Sequence, residues 1–263
     1  MIKIGITGAG GRMGKSLVRA CQMHQGVRLV SATVRPGSPL AGMDAGEVAG
    51  IPATGVPATE ALAEDLDVVI DFTAPAASRA HVDWCRRHGK PVVIGTTGFD
   101  TSERSGIERA AQDIPIVWAP NMSVGINLCF RLAEIAAQAV GQTSDIEIIE
   151  AHHRHKQDAP SGTALRLGEK IALALGRPLE ELAVYERHGH TGPRPDNAIG
   201  FSAVRGGDIV GEHTVLFACE GERIEITHRA GSRLNFAHGA LRAATWLAAK
   251  EPGLYDMQDV LGL

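Results

Sequence analysis

The chain has 263 residues, of which 44% are hydrophobic and 21% are charged, and its formal net charge is −4. This composition is typical of a globular protein with enough apolar residues for one large domain or two smaller ones. The negative charge and the lack of any Lys/Arg-rich block exclude a general nucleic-acid binder, because neutralising phosphates requires a basic face. We therefore expect a small-molecule ligand.

The sequence predicts a cytoplasmic protein without membrane contact. Its first residues, MIKIGITGAG, indicate a strand and lack the basic region, apolar core and cleavage site of a secretory signal. No stretch approaches the roughly 20 apolar residues that span a bilayer. The cysteines are far apart and form no C-x-x-C pair, so neither a disulfide framework nor a zinc knuckle is indicated; they are Cys21, Cys85, Cys129 and Cys219.

The first half of the chain alternates strand-like and helix-like segments. The predicted strands are IKIGIT (2–7), VRLVSATV (27–34), DLDVVIDFT (65–73), PVVIGTT (91–97) and IPIVWAP (114–120). The predicted helices between them lie near Met13 to Cys21, Ala76 to His88 and Thr101 to Asp113. This alternation predicts βα units and a buried parallel sheet, as in a Rossmann-like α/β domain.

Beyond Asn121 the pattern changes. Helices are predicted over 125–140 and 161–175, with the strand DIEIIEA (145–151) between them. Three alternating segments, 198–207, 212–219 and 222–230, are interpreted as antiparallel strands with one polar face. The Gly- and Pro-rich stretch 188–200 predicts a loop, and a last helix over Phe236 to Ala249 is followed by a short tail.

The loop after the first predicted strand is rich in glycine. GITGAGGRMG places Gly8, Gly10, Gly11 and Gly14 before and within a helix that starts near Arg12, with the spacing G-x-x-G-x-x-G instead of G-x-G-x-x-G. Backbone can approach a pyrophosphate there, and helix N–H groups can hold it. A turn that only packs strand against helix is the alternative, but the position at the first βα junction favours dinucleotide binding.

The end of the second strand bears on the choice of cofactor. An acidic residue normally accepts hydrogen bonds from the adenine ribose there, whereas this chain has Val34 and Arg35. An arginine at this corner can pair with a 2′-phosphate, although a solvated surface arginine is the alternative. Two further loops, GTTG (95–98) and APNMS (119–123), follow strands of the same sheet and are predicted to line the nicotinamide end; plain turns are the alternative.

The segment EAHHRHKQDAPSGTAL (150–165) concentrates polar side chains. No Cys or second His pair at motif spacing accompanies His152, His153 and His155, so a metal site is not predicted. Any one of these histidines can be explained as a solvated strand end. If the strand continues, His153 and His155 project together, and His152 faces another part of a cleft.

The end of the same segment predicts an anion site beside a source of protons. Pro160 indicates a turn and Ser161 a helix N-cap, after which the N–H groups of Gly162 and Thr163 can bind a carboxylate. Lys156 adds a positive charge or a proton and is expected to lower the pKa of a neighbouring histidine. A nicotinamide-dependent reductase needs such a site, because hydride delivery must be matched by proton delivery.

Seven motifs in order resemble the 4-hydroxy-tetrahydrodipicolinate reductase (dihydrodipicolinate reductase) family of the bacterial and plant diaminopimelate-lysine pathway: GITGAGGRMG, DFT, GTTG, APNMS, EAHHRHKQDAPSGTA, VRGGDIVGEHTV and ITHRAGSR. The resemblance covers nearly the whole chain. It implies NAD(P)H-dependent reduction by a nucleotide domain over 1–122 completed by 236–263. A substrate-binding and oligomerisation domain over 123–235, with a mixed sheet, is implied to build a homotetramer.

The resemblance also implies roles for individual residues. His152 would be proton donor and acceptor and Lys156 a proton donor, while the substrate's carboxylates would meet His153, Gly162 and Thr163 at the turn that includes Ser161. The cofactor, NADPH in preference to NADH, is expected at Gly8, Ala9, Gly10, Gly11, Arg12, Met13, Arg35, Gly95, Thr96, Thr97, Ala119, Pro120, Asn121 and Met122. Val34 departs from the family, since many bacterial members have an acidic residue there.

Two other functions are compatible with parts of the sequence. A semialdehyde or homoserine dehydrogenase shares the two-domain pattern, but a semialdehyde enzyme needs a nucleophilic cysteine beside a base, and no cysteine here has such a setting. A catalytically inactive cofactor-binding sensor is the second alternative. It would have no need of His152, Lys156 and a carboxylate-binding turn.

Overall fold

The computed structural model describes residues 1–263 and divides into two compact units. Unit 1 comprises Met1–Val124 and Arg233–Leu263, and unit 2 comprises Gly125–Ser232. The strands are β1 Ile2–Thr7, β2 Val27–Thr33, β3 Ala58–Thr59, β4 Val68–Asp71, β5 Val92–Ile94, β6 Pro115–Trp118, β7 Asp145–His152, β8 Ala183–Val184, β9 Ile199–Arg205, β10 Glu212–Cys219, β11 Glu222–Arg229 and β12 Gly253–Tyr255. The helices are α1 Arg12–Met23, α2 Ala45–Ala49, α3 Pro75–Arg87, α4 Thr101–Ala110, α5 Val124–Val140, α6 Gly162–Ala174, α7 Leu179–Leu182, α8 Leu234–Leu247 and α9 Met257–Leu261.

Unit 1 contains a seven-stranded parallel sheet in the order β12-β6-β5-β4-β1-β2-β3. Its central strands are buried on both faces, with Ile6 and Ile70 on one face and Val69 and Ile94 on the other all at 0% exposure, as expected when helices cover a parallel sheet. The predicted Rossmann-like sheet is confirmed. Because the strands are parallel, the carboxyl ends of β1, β4, β5 and β6 lie along one edge. The strand order reverses at β1, and sheets of this kind bind ligands at the carboxyl ends near such a reversal.

The prediction of a plain tail after the last helix is wrong. Residues Gly253–Tyr255 form β12, which pairs in parallel with β6, and Asp256 caps the short helix α9. A three-residue strand is too short to show a hydrophobic period in the sequence. It forms because its backbone pairs with the edge of β6. The brief elements α2, β3, α7 and β8 were not predicted either, for the same reason.

Unit 2 contains a five-stranded mixed sheet in the order β11-β10-β7-β9-β8, packed on α5 and α6. β10 runs antiparallel to β7 and β11, as predicted. The antiparallel assignment is wrong for β9, which runs parallel to β7. The helix α6 lies between these two strands in the chain and returns it to the same end of the sheet, which makes the pair parallel.

The two faces of the unit 2 sheet differ in burial. Ile148, Val215 and Phe217 face the helices and are buried, whereas Ile149 and Val204 on the opposite face are 40% and 50% exposed. The edge strand β11 has the predicted polar face, formed by Arg223, Glu225, Thr227 and Arg229, and on its other face Ile226 is half-buried against the core. None of the helices combines the length and the hydropathy that a membrane span requires.

Candidate active site

The glycine loop of unit 1 leaves the start of α1 open to an anion. Gly8 has a φ of +65°, a left-handed conformation that favours glycine, and Gly11 is the N-cap of α1. No side chain caps the helix, and its first turn contains no acidic residue. The first N–H groups of α1 and its dipole therefore remain available to a pyrophosphate, so this loop fits a dinucleotide.

Glycine is present at each position of this loop for a different physical reason. A Cβ on Gly14 would lie 2.2 Å from the Gly8 carbonyl oxygen, so only glycine lets α1 pack this closely on the loop. A Cβ on Gly10 would lie 2.7 Å from the Leu40 side chain. Close packing of helix on loop therefore explains Gly14, whereas the exposed N-cap position of Gly11 is the part suited to ligand binding.

Two more loops follow β5 and β6 at the same edge of the sheet as Gly8. Thr97 and Pro120 are exposed there. Thr96 is buried, and its hydroxyl is engaged by Ser78 at 2.8 Å. Met122 is buried against α8. The packing is close, since a Cβ on Gly239 of that helix would lie 1.8 Å from the Met122 carbonyl oxygen. Thr96 and Met122 can therefore offer a cofactor mainly their backbone.

At the corner after β2, Val34 and Arg35 differ in burial. Val34 is buried and its Cγ1 lies 3.7 Å from the Cβ position at Gly10, so it packs directly against the glycine loop. Arg35 is exposed and forms no ion pair. Both predicted residues are at the corner, but Val34 is the one in contact with the loop.

In unit 2, a carboxylate and a histidine on β7 form the centre of the site. Glu150 and His152 are two residues apart and therefore project from the same, buried face of the strand. The Nδ1 atom of His152 lies 2.6 Å from Oε2 of Glu150. An ionised carboxylate only accepts hydrogen bonds, so Nδ1 carries the proton and Nε2 of the neutral ring is an acceptor.

Glu150 is held by an arginine that the sequence did not suggest. The two terminal nitrogens of Arg205 donate to the two Glu150 oxygens at 2.6 and 2.7 Å, and the Ser161 amide donates at 3.1 Å. Burial alone would raise the pKa of Glu150, but the hydrogen bonds from Arg205 and His152 outweigh it and keep that pKa below its ordinary value. Glu150 is therefore a buried, ionised and fully engaged carboxylate.

The pKa of His152 is lowered, as predicted, but chiefly for another reason. Burial is the largest cause, Glu150 opposes it, and the charge of Lys156 adds a smaller effect. A Cβ on Gly211 would lie 3.0 Å from Nε2 of His152, so this glycine leaves room beside the unbonded ring nitrogen. His152 therefore has Nε2 as the ring atom that is open to a ligand.

His213 is a part of the site that sequence reasoning missed. Its Nε2 lies 3.0 Å from the Ser161 hydroxyl, its ring centroid is 5.1 Å from that of His152, and its Nδ1 is buried without a partner in the protein. Burial lowers the pKa of His213 to about 3, so the ring is neutral. The sequence could have indicated it, because His213 occupies one of the alternate positions of the strand Glu212–Cys219 that face the core.

The segment after His152 is a loop, so the strand does not continue and the condition under which His153 and His155 would project together is not met. The amides of His153 and Arg154 donate to Ile209 and Gly207, which lie between β9 and β10, and this pulls the backbone out of the strand. The rings of His153 and His155 are 6.3 Å apart. Nδ1 of His153 is buried and has no partner in the protein.

The start of α6 has the predicted N-cap. The Ser161 hydroxyl accepts from the Ala164 amide at 3.2 Å, Gly162 is exposed and Thr163 is half-buried. Lys156 lies in the preceding loop, with its ammonium 2.8 Å from Asp158. The structure therefore brings His152, Ser161 and His213 into direct contact around Glu150, with Lys156 close enough to influence His152 electrostatically. No cluster of three or more His, Cys, Asp and Glu side chains is arranged to hold a metal ion.

Comparison with known proteins assigns this arrangement to a family. The model of the dihydrodipicolinate reductase N-terminus matches residues 2–122, and that of the C-terminus matches residues 125–261. The chain belongs to the dihydrodipicolinate reductase family. It is accordingly an oxidoreductase of a dinucleotide-binding family, and its reaction is the reduction step of that family.

Individual relatives support the same assignment over the full length. The 4-hydroxy-tetrahydrodipicolinate reductase of Pseudomonas fluorescens (strain Pf0-1) is 58% identical, covering 100% of both chains. That of Methylococcus capsulatus is 58% identical, covering 100% of this chain and 99% of the relative. Among solved structures, the dipicolinate-bound dihydrodipicolinate reductase of Paenisporosarcina sp. TG-14 aligns with a TM-score of 0.75 at 25% identity over 98% of each chain.

Proposed function

We propose that this chain reduces 4-hydroxy-tetrahydrodipicolinate to tetrahydrodipicolinate with NAD(P)H, and that Lys156 and His152 handle the proton. The observation that carries the proposal is the Glu150-oriented His152 beside Lys156 and the start of α6, in a chain that belongs to the dihydrodipicolinate reductase family. Unit 1 would bind the cofactor, and unit 2 would bind the substrate.

The change of functional groups defines what the residues must do. Replacing a hydroxyl by hydrogen requires one hydride and one proton, and it releases one water. The nicotinamide supplies the hydride when bound. The proton must come from the protein, and a positioned donor contributes roughly 10²- to 10⁴-fold to such a step.

His152 and Lys156 divide the proton handling. The ammonium of Lys156 is the proton donor, because it carries the proton that the neutral His152 lacks. Nε2 of His152 accepts a proton or passes one on, since Glu150 holds Nδ1 and so keeps the ring in one tautomer and one orientation. Glu150 and Arg205 position the histidine and do not touch the substrate.

The carboxylates of the substrate would bind at the start of α6 and at His153. Helix N–H groups at Gly162 and Thr163 suit an anion, and Ser161 keeps this turn in place through its cap and its contact with His213. His153 offers a buried Nδ1 that has no partner in the protein. The relative from Paenisporosarcina was solved with dipicolinate, a planar dicarboxylate of the kind this site would accept.

NADPH would be the preferred cofactor. The apolar Val34 against the glycine loop offers no acceptor to the ribose hydroxyls, while the unpaired, exposed Arg35 can meet a 2′-phosphate. We expect Arg35→Ala to weaken NADPH about ten- to a hundredfold and to leave NADH nearly unchanged. Val34→Glu should shift the preference toward NADH. Equal kcat/KM values for both cofactors in the parent and in Arg35→Ala would contradict the preference.

The chain would act as a homotetramer through the unit 2 sheet. One face of that sheet is left without helices, and its Ile149 and Val204 side chains are 40% and 50% exposed. Apolar patches of this kind mark interaction sites. Analytical ultracentrifugation with Val204→Lys tests the assignment, since a charge on this face should dissociate the assembly.

The catalytic assignment is tested by paired variants assayed with freshly condensed pyruvate and aspartate semialdehyde. His152→Ala and Lys156→Ala should each lose roughly 10²- to 10⁴-fold in turnover, and Lys156→Ala should also bind substrate more weakly. The exposed neighbours His155→Ala and Arg154→Ala are matched controls and should stay near the parent. Near-parental turnover in both folded test variants would sink the assignment, and a chelator should have no effect.

The two alternative functions predict different outcomes of the same assay. A semialdehyde dehydrogenase needs a reactive thiolate, but burial raises the pKa of the Cys21, Cys85 and Cys129 thiols. A cofactor-binding sensor would bind NADPH without oxidising it in the presence of substrate. Steady NADPH oxidation that depends on His152 would exclude both.

A further inference from the structure

The motif Asp71-Phe72-Thr73 lies between the glycine loop and the Gly95–Thr97 loop of unit 1. Asp71 is the last residue of β4, the strand that pairs with β1 on one side and β5 on the other. It is 0% exposed, as is Thr7 at the end of β1. A fully buried carboxylate is expensive unless it is well bonded, so its partners indicate what it does.

The partners of Asp71 come from the end of β1, from the loop after β4 and from helix α3. One carboxylate oxygen accepts from the Thr7 hydroxyl at 3.0 Å and from the Thr73 amide and hydroxyl at 3.0 and 2.6 Å. The other oxygen lies 3.4 Å from Nδ1 of His81. Burial by itself would raise the pKa of Asp71, but the contacts with His81, Ser78 and Thr73 hold it below its ordinary value. The group is therefore ionised.

Thr73 extends this bonding to the loop after β5. Its amide also donates to the Thr96 hydroxyl at 3.0 Å, and the Ser78 hydroxyl donates to the same oxygen at 2.8 Å. Its methyl group lies 2.8 Å from the Cβ position at Gly8. One threonine thus touches the first glycine of one loop and the buried threonine of the other.

Phe72, the middle residue of the motif, packs against the loop after β5. The ring of Phe72 lies 2.1 Å from the Cβ position at Gly95, and the Gly95 amide donates to the Asp71 carbonyl at 2.9 Å. Any side chain at Gly95 would displace this ring. All three residues of the motif therefore contact a loop that the proposed function assigns to the cofactor.

We propose that Asp71 is a positioning residue of the cofactor site, whose buried carboxylate, acting through Thr7 and Thr73, holds the glycine loop and the Gly95–Thr97 loop in one fixed arrangement. The inference rests on the proposed function, since it takes these loops as the dinucleotide site. Asp71 does not contact the cofactor. Its effect on binding is the same for NADPH and NADH, because it acts on loops that hold the parts the two molecules share.

The test measures dissociation constants for both cofactors by fluorescence titration, with thermal unfolding recorded for each variant. Thr73→Val keeps the size of the side chain and the amide but removes the hydroxyl bonded to Asp71, and Asp71→Asn removes the charge. Each should weaken NADPH and NADH by the same factor, about tenfold, as expected for one lost hydrogen bond to a charged group. The cofactor KM should rise while kcat at saturating cofactor stays near the parent.

Thr245→Val is the matched control, because it removes a threonine hydroxyl bonded to the Leu241 carbonyl within α8 of the same unit. It should leave both dissociation constants unchanged. Parental binding by folded Thr73→Val, with or without a loss of thermal stability, would overturn the inference, as would weakening of one cofactor alone. Thr73→Val keeps the test decisive if Asp71→Asn does not fold. A parent chain that binds neither cofactor would instead refute the proposed function, and the inference with it.

Discussion

Replacing Glu150 by glutamine should separate the orienting role of this carboxylate from its contribution to stability. The carboxylate accepts four hydrogen bonds, two from Arg205, one from His152 and one from the Ser161 amide. A glutamine amide has one oxygen and one NH₂ group. If the oxygen faces Arg205 and Ser161, the NH₂ group faces a second nitrogen of Arg205 and Nδ1 of His152, which are both donors.

The two donor-to-donor contacts, at Arg205 and at His152, have different consequences. Arg205 stays charged and loses its carboxylate, which should cost about 3 kcal/mol of unfolding free energy, at the low end of the range because the arginine side chain remains 21% exposed. His152 can relieve its conflict by moving its proton from Nδ1 to Nε2. That tautomer cannot accept at Nε2, so turnover should fall by roughly 10²- to 10⁴-fold.

The assay combines turnover, its pH profile and the tautomer of His152. Loss of the Glu150 charge removes an effect that raises the pKa of His152, so any His152 limb of the kcat/KM profile should move to lower pH. NMR of ¹⁵N-labelled histidine should show the proton on Nε2. These readouts are recorded at a temperature where the variant is fully folded.

Glu147→Gln is the matched control, because Glu147 lies on the same strand and is bonded by both nitrogens of Arg187 at 2.8 Å but has no histidine partner. It should lose less stability than Glu150→Gln, since Arg187 is 37% exposed and Arg194, its second partner, keeps its bonds to Asp145 and to the Ile146 and Ala198 carbonyls. It should lose no turnover. A Glu150→Gln protein with parental kcat, pH profile and His152 tautomer would refute the reasoning, whatever its stability.

Three further expectations follow from the site and the fold. The pKa of His213 is about 3 when folded and near 6.5 when unfolded, so the unfolded state binds more protons and stability falls as pH drops. Between pH 6.5 and 5 the parent should lose about 1.6 kcal/mol that His213→Gln does not lose, as calorimetry at both pH values can check. Gly14→Ala should abolish cofactor binding because its Cβ would lie 2.2 Å from the Gly8 carbonyl oxygen, whereas Gly106→Ala, with its nearest neighbour 3.9 Å away, should not; equal cofactor titrations for both would contradict the packing argument. Pyridine-2,6-dicarboxylate should inhibit competitively and bind folded Thr163→Pro more weakly, because the substitution removes a helix N–H donor; unchanged inhibition would move the anion site elsewhere.

The amino-acid sequence by itself determined those features whose cause is local. Alternating βα segments predicted the parallel sheet, because hydrophobic period and segment length reflect short-range geometry. The glycine loop and the Ser161 N-cap were predicted because a turn and a cap depend on residues within a few positions. His152, Lys156 and the start of α6 were proposed together because one continuous segment contains them all.

Only the tertiary structure decided which distant residues complete the site. Arg205 meets Glu150 from 55 residues away, His213 meets Ser161 from 52, and Thr7 meets Asp71 from 64. The parallel direction of β9 and the pairing of β12 with β6 likewise depend on where the chain returns. Such contacts arise from sheet order and register, which side-chain periodicity along a single segment does not encode, because many pairings bury the same apolar faces.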